Sequence, residues 1–145
     1  MTIWFDMDGT IADLFTVPNW LEGLQAEEVW PYLKADPMLN MSVLARKLNT
    51  LQKAGYKLGI ISWTSMNGSE SYNEAVRKAK EKWLRQHLHS VEWDFIKIVE
   101  YGVDKGLVCN AQKTDLLFDD SRANRENWPG FAFHPNNIMS ELHNL

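Results

Sequence analysis

Thr2-Ile3-Trp4-Phe5-Asp6-Met7-Asp8-Gly9-Thr10 is the stretch on which the reading of this chain turns. Ile3, Trp4 and Phe5 are β-branched or aromatic and suit a strand buried on both faces. The run ends abruptly in two carboxylates with a glycine and a hydroxyl behind them. Asp6 and Asp8 are two residues apart, so an extended backbone sends both side chains to one side. Gly9 permits a sharp turn at that point. Two unpaired carboxylates brought together out of water are costly, so a cation is expected between them. The competing reading is a strand that closes in an ordinary Asp-Gly turn.

Four more strands are predicted downstream. Lys57–Ser62 ends its apolar run on Ser62. Phe95–Val99 is followed by a loop carrying Lys105. Asp115–Phe118 ends on Asp119-Asp120, and Phe131–Phe133 is short. Helices are predicted between them. Residues 42–54 form one, capped by Ser42, with Val43, Leu44, Leu48 and Leu51 on one face and Gly55 past its end. Residues 71–88 form the longest, with Ser71 and Glu74 as a capping box and Tyr72, Val76, Ala79 and Trp83 as the apolar stripe. Its lysines and arginines (Arg77, Lys78, Lys80, Lys82 and Arg85) read as a solvated face. A helical turn is expected at 11–15, a short helix at 106–111, a turn or short helix at 121–127 and a closing helix at 136–144. Residues 16–40 differ in character. Pro18, Pro31 and Pro37 interrupt short helical pieces at Trp20–Gln25 and Ala26–Trp30, as in a small insert rather than a domain with its own core.

Alternation of strand and helix predicts a parallel sheet covered on both sides, and such sheets bind ligands beyond the carboxyl ends of their strands. Asp6, Ser62, Lys105 and the pair Asp119-Asp120 all fall at that end. Four carboxylates there would repel a phosphate, each close pair by about 4 kcal/mol at an effective dielectric of 20. A divalent cation removes the conflict, and an oxygen-only ligand set favours magnesium over zinc. One carboxylate can attack phosphorus while a second passes a proton to the leaving oxygen and later activates water. A hydroxyl and a lysine can hold the transferring oxygens. Asp6, Asp8, Ser62 and Lys105 match these roles in kind. The histidines are read as surface or structural.

The totals narrow the alternatives. A chain of 145 residues with 45% hydrophobic content is long enough for one well-cored domain. Seven tryptophans point to a well-packed interior or a ring-lined pocket. A net charge of −4 argues against nucleic acid or an anionic membrane as partner and leaves room for a small anionic substrate held by a few local donors. The single cysteine, Cys109, cannot form an internal disulfide and fits a reducing, cytoplasmic setting. Asp6 and Asp8 interrupt the N-terminal apolar run, so no signal peptide is expected, and no apolar stretch approaches the roughly 20 residues a membrane span needs. Oligomeric state is not readable.

Asp6-Met7-Asp8-Gly9-Thr10, the apolar strand ending in Ser62, the later lysine and Leu116-Leu117-Phe118-Asp119-Asp120 resemble the four motifs of the haloacid dehalogenase (HAD) superfamily. The resemblance covers residues 2 to about 133, apart from 16–40. It implies a Rossmann-like three-layer α/β fold with a central, mainly parallel five-stranded sheet and a small cap insert at 16–40. It also implies magnesium and phosphomonoester hydrolysis. By motif position Asp6 is the nucleophile and Asp8 the general acid/base. Asp6, the main-chain carbonyl of Asp8, and Asp119 or Asp120 would hold the metal. Dehalogenating members have no second carboxylate where Asp8 stands. Within the superfamily the chain looks like the 5'(3')-deoxyribonucleotidase-type members and their small bacterial and phage relatives. That group usually has valine in place of Thr10 and a larger helical cap. The alternatives are a phosphotransferase or phosphomutase of the superfamily and a non-catalytic phospholigand-binding protein on the same fold.

Two choices rest on position. Ser62 directly ends its apolar run and is preferred to Thr64 as the phosphate-binding hydroxyl; Trp63, Thr64 and Thr10 are placed with the substrate. Lys105 is preferred to Lys97, which is inside a strand, and to Lys113. Lys113 precedes Asp119 by six residues, about 20 Å of extended chain, at the wrong end of the sheet.

Overall fold

The computed structural model describes residues 1–145. In chain order its elements are β1 (Thr2–Phe5), β2 (Ala12–Asp13), a 3₁₀ turn at Leu14–Thr16, α1 (Trp20–Gln25), α2 (Trp30–Lys34), β3 (Asp36–Pro37), α3 (Met41–Lys53) and β4 (Lys57–Trp63). There follow α4 (Glu70–His87), β5 (Phe95–Val99), α5 (Lys105–Val108), β6 (Leu116–Phe118), α6 (Arg122–Asn127), β7 (Phe131–Phe133), a 3₁₀ turn at Pro135–Asn137 and α7 (Ile138–His143). The five long-range strands make one sheet in the order β5-β4-β1-β6-β7, with every pair parallel. Phe5 stands beside Phe118 in the register, and the Asp6 amide donates to the Phe118 carbonyl at 2.9 Å. Asp6 and Asp119 therefore emerge side by side, each one residue past its strand.

The two faces of the sheet are covered unequally. Ile3, Phe5, Leu58, Ile60, Leu116 and Phe118 join Leu44, Leu48 and Leu51 of α3, Trp83 and Leu84 of α4, and Ile138 and Leu142 of α7 in the main core. Trp4, Ile61 and Leu117 point to the other face and pack with Cys109 and Trp128. This is the period-2 alternation of strands buried on both sides, in three layers. Gly59 sits within β4 because the Trp4 ring occupies the space a Cβ would take, 2.4 Å from its nearest atom.

The insert is closed at its base by the antiparallel pair β2–β3, Ala12 against Pro37 and Asp13 against Asp36. Leu14 and Tyr32 pack on Tyr72, Val76 and Ala79 of α4, with Trp20, Leu24 and Leu33 around them. Its small apolar cluster is thus completed by one face of the longest helix. The chain also tethers there by polar contacts. Glu27 accepts from the Ser69 amide at 2.7 Å and from its hydroxyl at 2.9 Å, and the Tyr72 hydroxyl donates to the Glu28 carbonyl at 2.7 Å.

Several local expectations are corrected. The piece expected at Ala26–Trp30 is a turn, with Glu27 at φ 56°, and the helix starts at Trp30. Proline has no amide hydrogen to satisfy, so Pro31 fits the first turn of that helix rather than ending one. The cap of α3 is Asn40, which accepts from the Val43 amide, not Ser42. The cap of α4 is Ser69, which accepts from the Tyr72 amide, not Ser71. Residues 11–15 form an extended pair and a 3₁₀ turn. No helix is long and apolar enough to cross a membrane.

Candidate active site

The turn after β1 is organised by one carbonyl. Met7 accepts from the amides of Thr10, Ile11 and Ala12, each at 3.0 Å. This sharp reversal needs Gly9 at φ +78°, where any other residue is strained. A Cβ on Gly9 would also stand 2.3 Å from Asp120 Oδ2, so the glycine lets Asp120 close on the turn after β1.

Asp6 and Asp8 then acquire different partners. Lys105 Nζ donates to Asp6 Oδ1 at 3.0 Å and to Asp119 Oδ2 at 2.7 Å, bridging the ends of β1 and β6. The Thr10 hydroxyl donates to Asp6 Oδ2 at 3.0 Å and accepts from the Asp120 amide at 3.2 Å. Asp119 is further held by the Ser121 amide at 2.9 Å and by Asn124 Nδ2 at 3.2 Å. Arg125 donates to the carbonyls of Asp119 and Asp120, each at 3.0 Å. Asp8 lies outside this group. Its Oδ2 accepts from Lys80 Nζ at 2.8 Å, and Lys80 also donates to Ser62 Oγ and to the Trp63 carbonyl, each at 2.7 Å.

Charge and burial conflict here, as the crowding of carboxylates implies. Burial raises the Asp119 carboxyl above its usual range, Asp6 adds to the rise, and Lys105 opposes it. Desolvation and the charge of Asp6 push Asp120 up to about 7, although Asp120 keeps part of its surface in solvent. Burial also raises Asp8 against the pull of Lys80. Burial alone would lower Lys105, but Asp6 and Asp119 outweigh it and hold the ammonium above its ordinary range. Carboxylate oxygens of Asp6, Asp119 and Asp120 lie within 4.8 Å of one another. Three hard oxygen donors with a single adjacent ammonium are the donor set a magnesium-like ion takes. The Asp8 carboxylate is not one of the three.

A cavity of about 610 Å³ opens over these groups. Asp6, Asp8, Lys105, Asp119 and Asp120 line it on one side. Phe15, Trp20, Leu24 and Tyr32 line another, with Trp63 and Tyr101 beside them. Phe15 and Trp20 meet edge to face with ring centres 5.0 Å apart, and Trp63 and Tyr101 lie 4.8 Å apart. Lys105 is the one lysine or arginine on the wall.

Some sequence-level assignments change. Ser62 is 1% exposed, bonds to Lys80 and does not line the cavity; Thr64 does line it, and its hydroxyl is buried without a partner. Thr10, expected beside the substrate, is also 1% exposed and off the wall, because Asp6 and the Asp120 amide engage its hydroxyl. Trp63 lines the cavity, its indole N–H donating to the Val103 carbonyl at 3.0 Å. Lys113 is exposed, and Lys97 donates to the Val108 carbonyl at 3.1 Å. Lys80 was missed. It is 1% exposed, not part of a solvated face. Its position four residues after Val76 and three before Trp83 puts it on the buried stripe, and that spacing was the available signal.

Comparison with solved structures places the fold. The chain matches D,D-heptose 1,7-bisphosphate phosphatase from Burkholderia thailandensis with a TM-score of 0.52 and 14% identity, over 86% of this chain and 69% of that one. The shared feature is the HAD-like, Rossmann-like α/β arrangement of a parallel sheet between helices. No protein-family model matches the chain, and no curated protein matches it in sequence.

Proposed function

We propose that this chain is a magnesium-dependent phosphomonoester hydrolase acting through an aspartyl-phosphate on Asp6. The observation that carries the reading is the division of labour between two carboxylates at one strand end. Asp6 is held by Lys105 and Thr10 beside Asp119 and Asp120, whereas Asp8 is held separately by Lys80. The fold it shares with a phosphatase supports the same reading.

In the first step an Asp6 oxygen bonds to phosphorus as the bond to the leaving oxygen breaks, and Asp8 gives that oxygen its proton. In the second, Asp8 takes a proton from water, the water oxygen bonds to phosphorus, and Asp6 departs as a carboxylate. Lys105 orients Asp6 and offsets charge beside the transferring group. Asp6, Asp119 and Asp120 would hold the magnesium ion, with the Asp8 carbonyl as the further ligand the resemblance implies; when bound it supplies positive charge against the phosphoryl oxygens. Thr64 is the hydroxyl we assign to the phosphoryl group in place of Ser62.

The cavity wall narrows the substrate. Aromatic and aliphatic side chains suit a leaving group with a flat, uncharged face. A second phosphate would find only Lys105, already paired with two carboxylates. Nucleoside monophosphates fit this description better than bisphosphates or open-chain sugar phosphates. A cytoplasmic setting fits the lone buried Cys109. The test is release of free phosphate, with magnesium present, across nucleoside monophosphates, sugar phosphates and bisphosphates. No release from any of them would overturn the hydrolase reading. Release from bisphosphates alone would overturn the substrate class.

A further inference from the structure

Lys80 is a buried cation to which the chemistry described so far gives no part beyond its contact with Asp8. It projects from α4 into the space between the β1 turn and the end of β4, and is 1% exposed. Its three N–H bonds have three acceptors: Asp8 Oδ2 at 2.8 Å, Ser62 Oγ at 2.7 Å and the Trp63 carbonyl at 2.7 Å. The Tyr32 ring lies 5.0 Å from its nitrogen. An ammonium has three donors and no acceptor, so Lys80 has nothing left to offer a phosphate. A buried lysine is also an expensive way to fill a helix face that otherwise carries Tyr72, Val76 and Trp83, unless its charge has a task.

We propose that Lys80 is the positioning residue for Asp8 and determines which of its oxygens carries the transferable proton. This role rests on the hydrolase reading above and follows from the count of donors and acceptors. Lys80 can only donate, so Asp8 Oδ2 must present a lone pair to it. When Asp8 is an acid, its proton therefore resides on Oδ1, which has no partner within the protein. Asp8 lines the cavity, so that oxygen is the one available to a leaving group. Ser62 and the Trp63 carbonyl hold the ammonium in turn. This gives a role to Ser62, the hydroxyl that closes its strand yet does not reach the cavity.

The test is the dependence of kcat/KM on the leaving group in Lys80→Met. This quantity reports phosphoryl transfer to Asp6 and is blind to the later hydrolysis. An alkyl phosphate needs a proton on its departing oxygen, whereas 4-nitrophenolate leaves without one. General acid assistance is worth about 10²-fold or more, so the variant is expected to lose about that factor on an alkyl phosphate and less than about fivefold on 4-nitrophenyl phosphate. Asp8→Asn should show the same asymmetry, and the double variant should be no more asymmetric than Asp8→Asn alone. Should Lys80→Met not fold by circular dichroism, Lys80→Leu carries the same readout, since it likewise removes every donor to Asp8 Oδ2 and suits the apolar stripe. Equal losses on both substrates, or no loss, would overturn the positioning role while leaving the hydrolase reading intact. A wild-type protein that releases phosphate from neither substrate would overturn the hydrolase reading and this proposal with it.

Discussion

Replacing Lys105 with methionine removes the cation that bridges Asp6 and Asp119, at 3.0 and 2.7 Å. Asp6 is 6% and Asp119 1% exposed, so solvent compensates little. At 3 Å and an effective dielectric of 20, each attraction is about 5–6 kcal/mol before the desolvation of the ammonium is subtracted. Methionine avoids that desolvation but leaves two carboxylates without a counter-charge. Breaking buried pairs of this kind costs about 3–5 kcal/mol. With a urea m-value of about 2 kcal/mol/M, the unfolding midpoint of the metal-free variant should fall by roughly 2 M. Two further signs follow. Lys105 opposes the rise of Asp119, so without it the folded variant holds a proton on Asp119 more tightly than the folded wild type does, and its deficit should shrink from pH 8 to pH 5. Magnesium should restore stability to the variant, because it supplies the missing charge to the same oxygens. Lys113→Ala, at an exposed site, should stay within about 0.5 kcal/mol of the wild type. A deficit for Lys105→Met below about 1 kcal/mol, or one that grows as pH falls, would refute the bridging argument.

Gly9→Ala should destabilise the protein by at least about 1–2 kcal/mol, since φ +78° is the left-handed region, and should weaken magnesium-dependent stabilisation because its Cβ meets Asp120; thermal melts with and without the ion read both. Asp6→Asn should remain folded by circular dichroism yet release no phosphate from an aryl phosphate; full activity would remove Asp6 as nucleophile. The raised Asp120 carboxyl, at about 7 when folded, contributes stability that is fully present below its unfolded value near 4 and lost as pH rises through 7. The metal-free protein should therefore melt higher at pH 5.5 than at pH 8, and saturating magnesium should narrow that difference.

What could be read in the residues was whatever short-range pattern determines. Ile3-Trp4-Phe5, Leu58–Ile61, Phe95–Val99, Leu116–Phe118 and Phe131–Phe133 are strands in the structure as in the sequence, because apolar runs of that length between turn residues have few other stable forms. The cap of α4 stands two residues before the expected one for a tertiary reason. Ser71 and Glu74 have the right spacing, but Ser69 is selected, and Glu27 arrives from the insert to hold that residue's amide and hydroxyl. Glu27 is 42 residues away in the chain, beyond any local pattern. The hydroxyls show the same limit. Thr10 and Ser62 stand at the end of the sheet, yet their orientation depends on Asp6, Asp120 and Lys80, which meet them only in the folded protein.

Lys80 marks where the reading by composition fails in principle. Five cations on one amphipathic helix look like a solvated face when counted together, and four of the five do keep part of their surface in water. The fifth is distinguishable only by phase: four residues after Val76, it must share the buried stripe. A cation at such a phase is tolerable only if the fold supplies acceptors for it, and β4 and the β1 turn supply three. A lysine on an apolar helical stripe in a chain that also carries an unmatched carboxylate at a strand end is thus evidence that the two meet. Here Asp6 is matched by Lys105, which leaves Asp8 as the carboxylate of the first strand's pair still requiring a partner, and the helix that covers the sheet brings Lys80 to it.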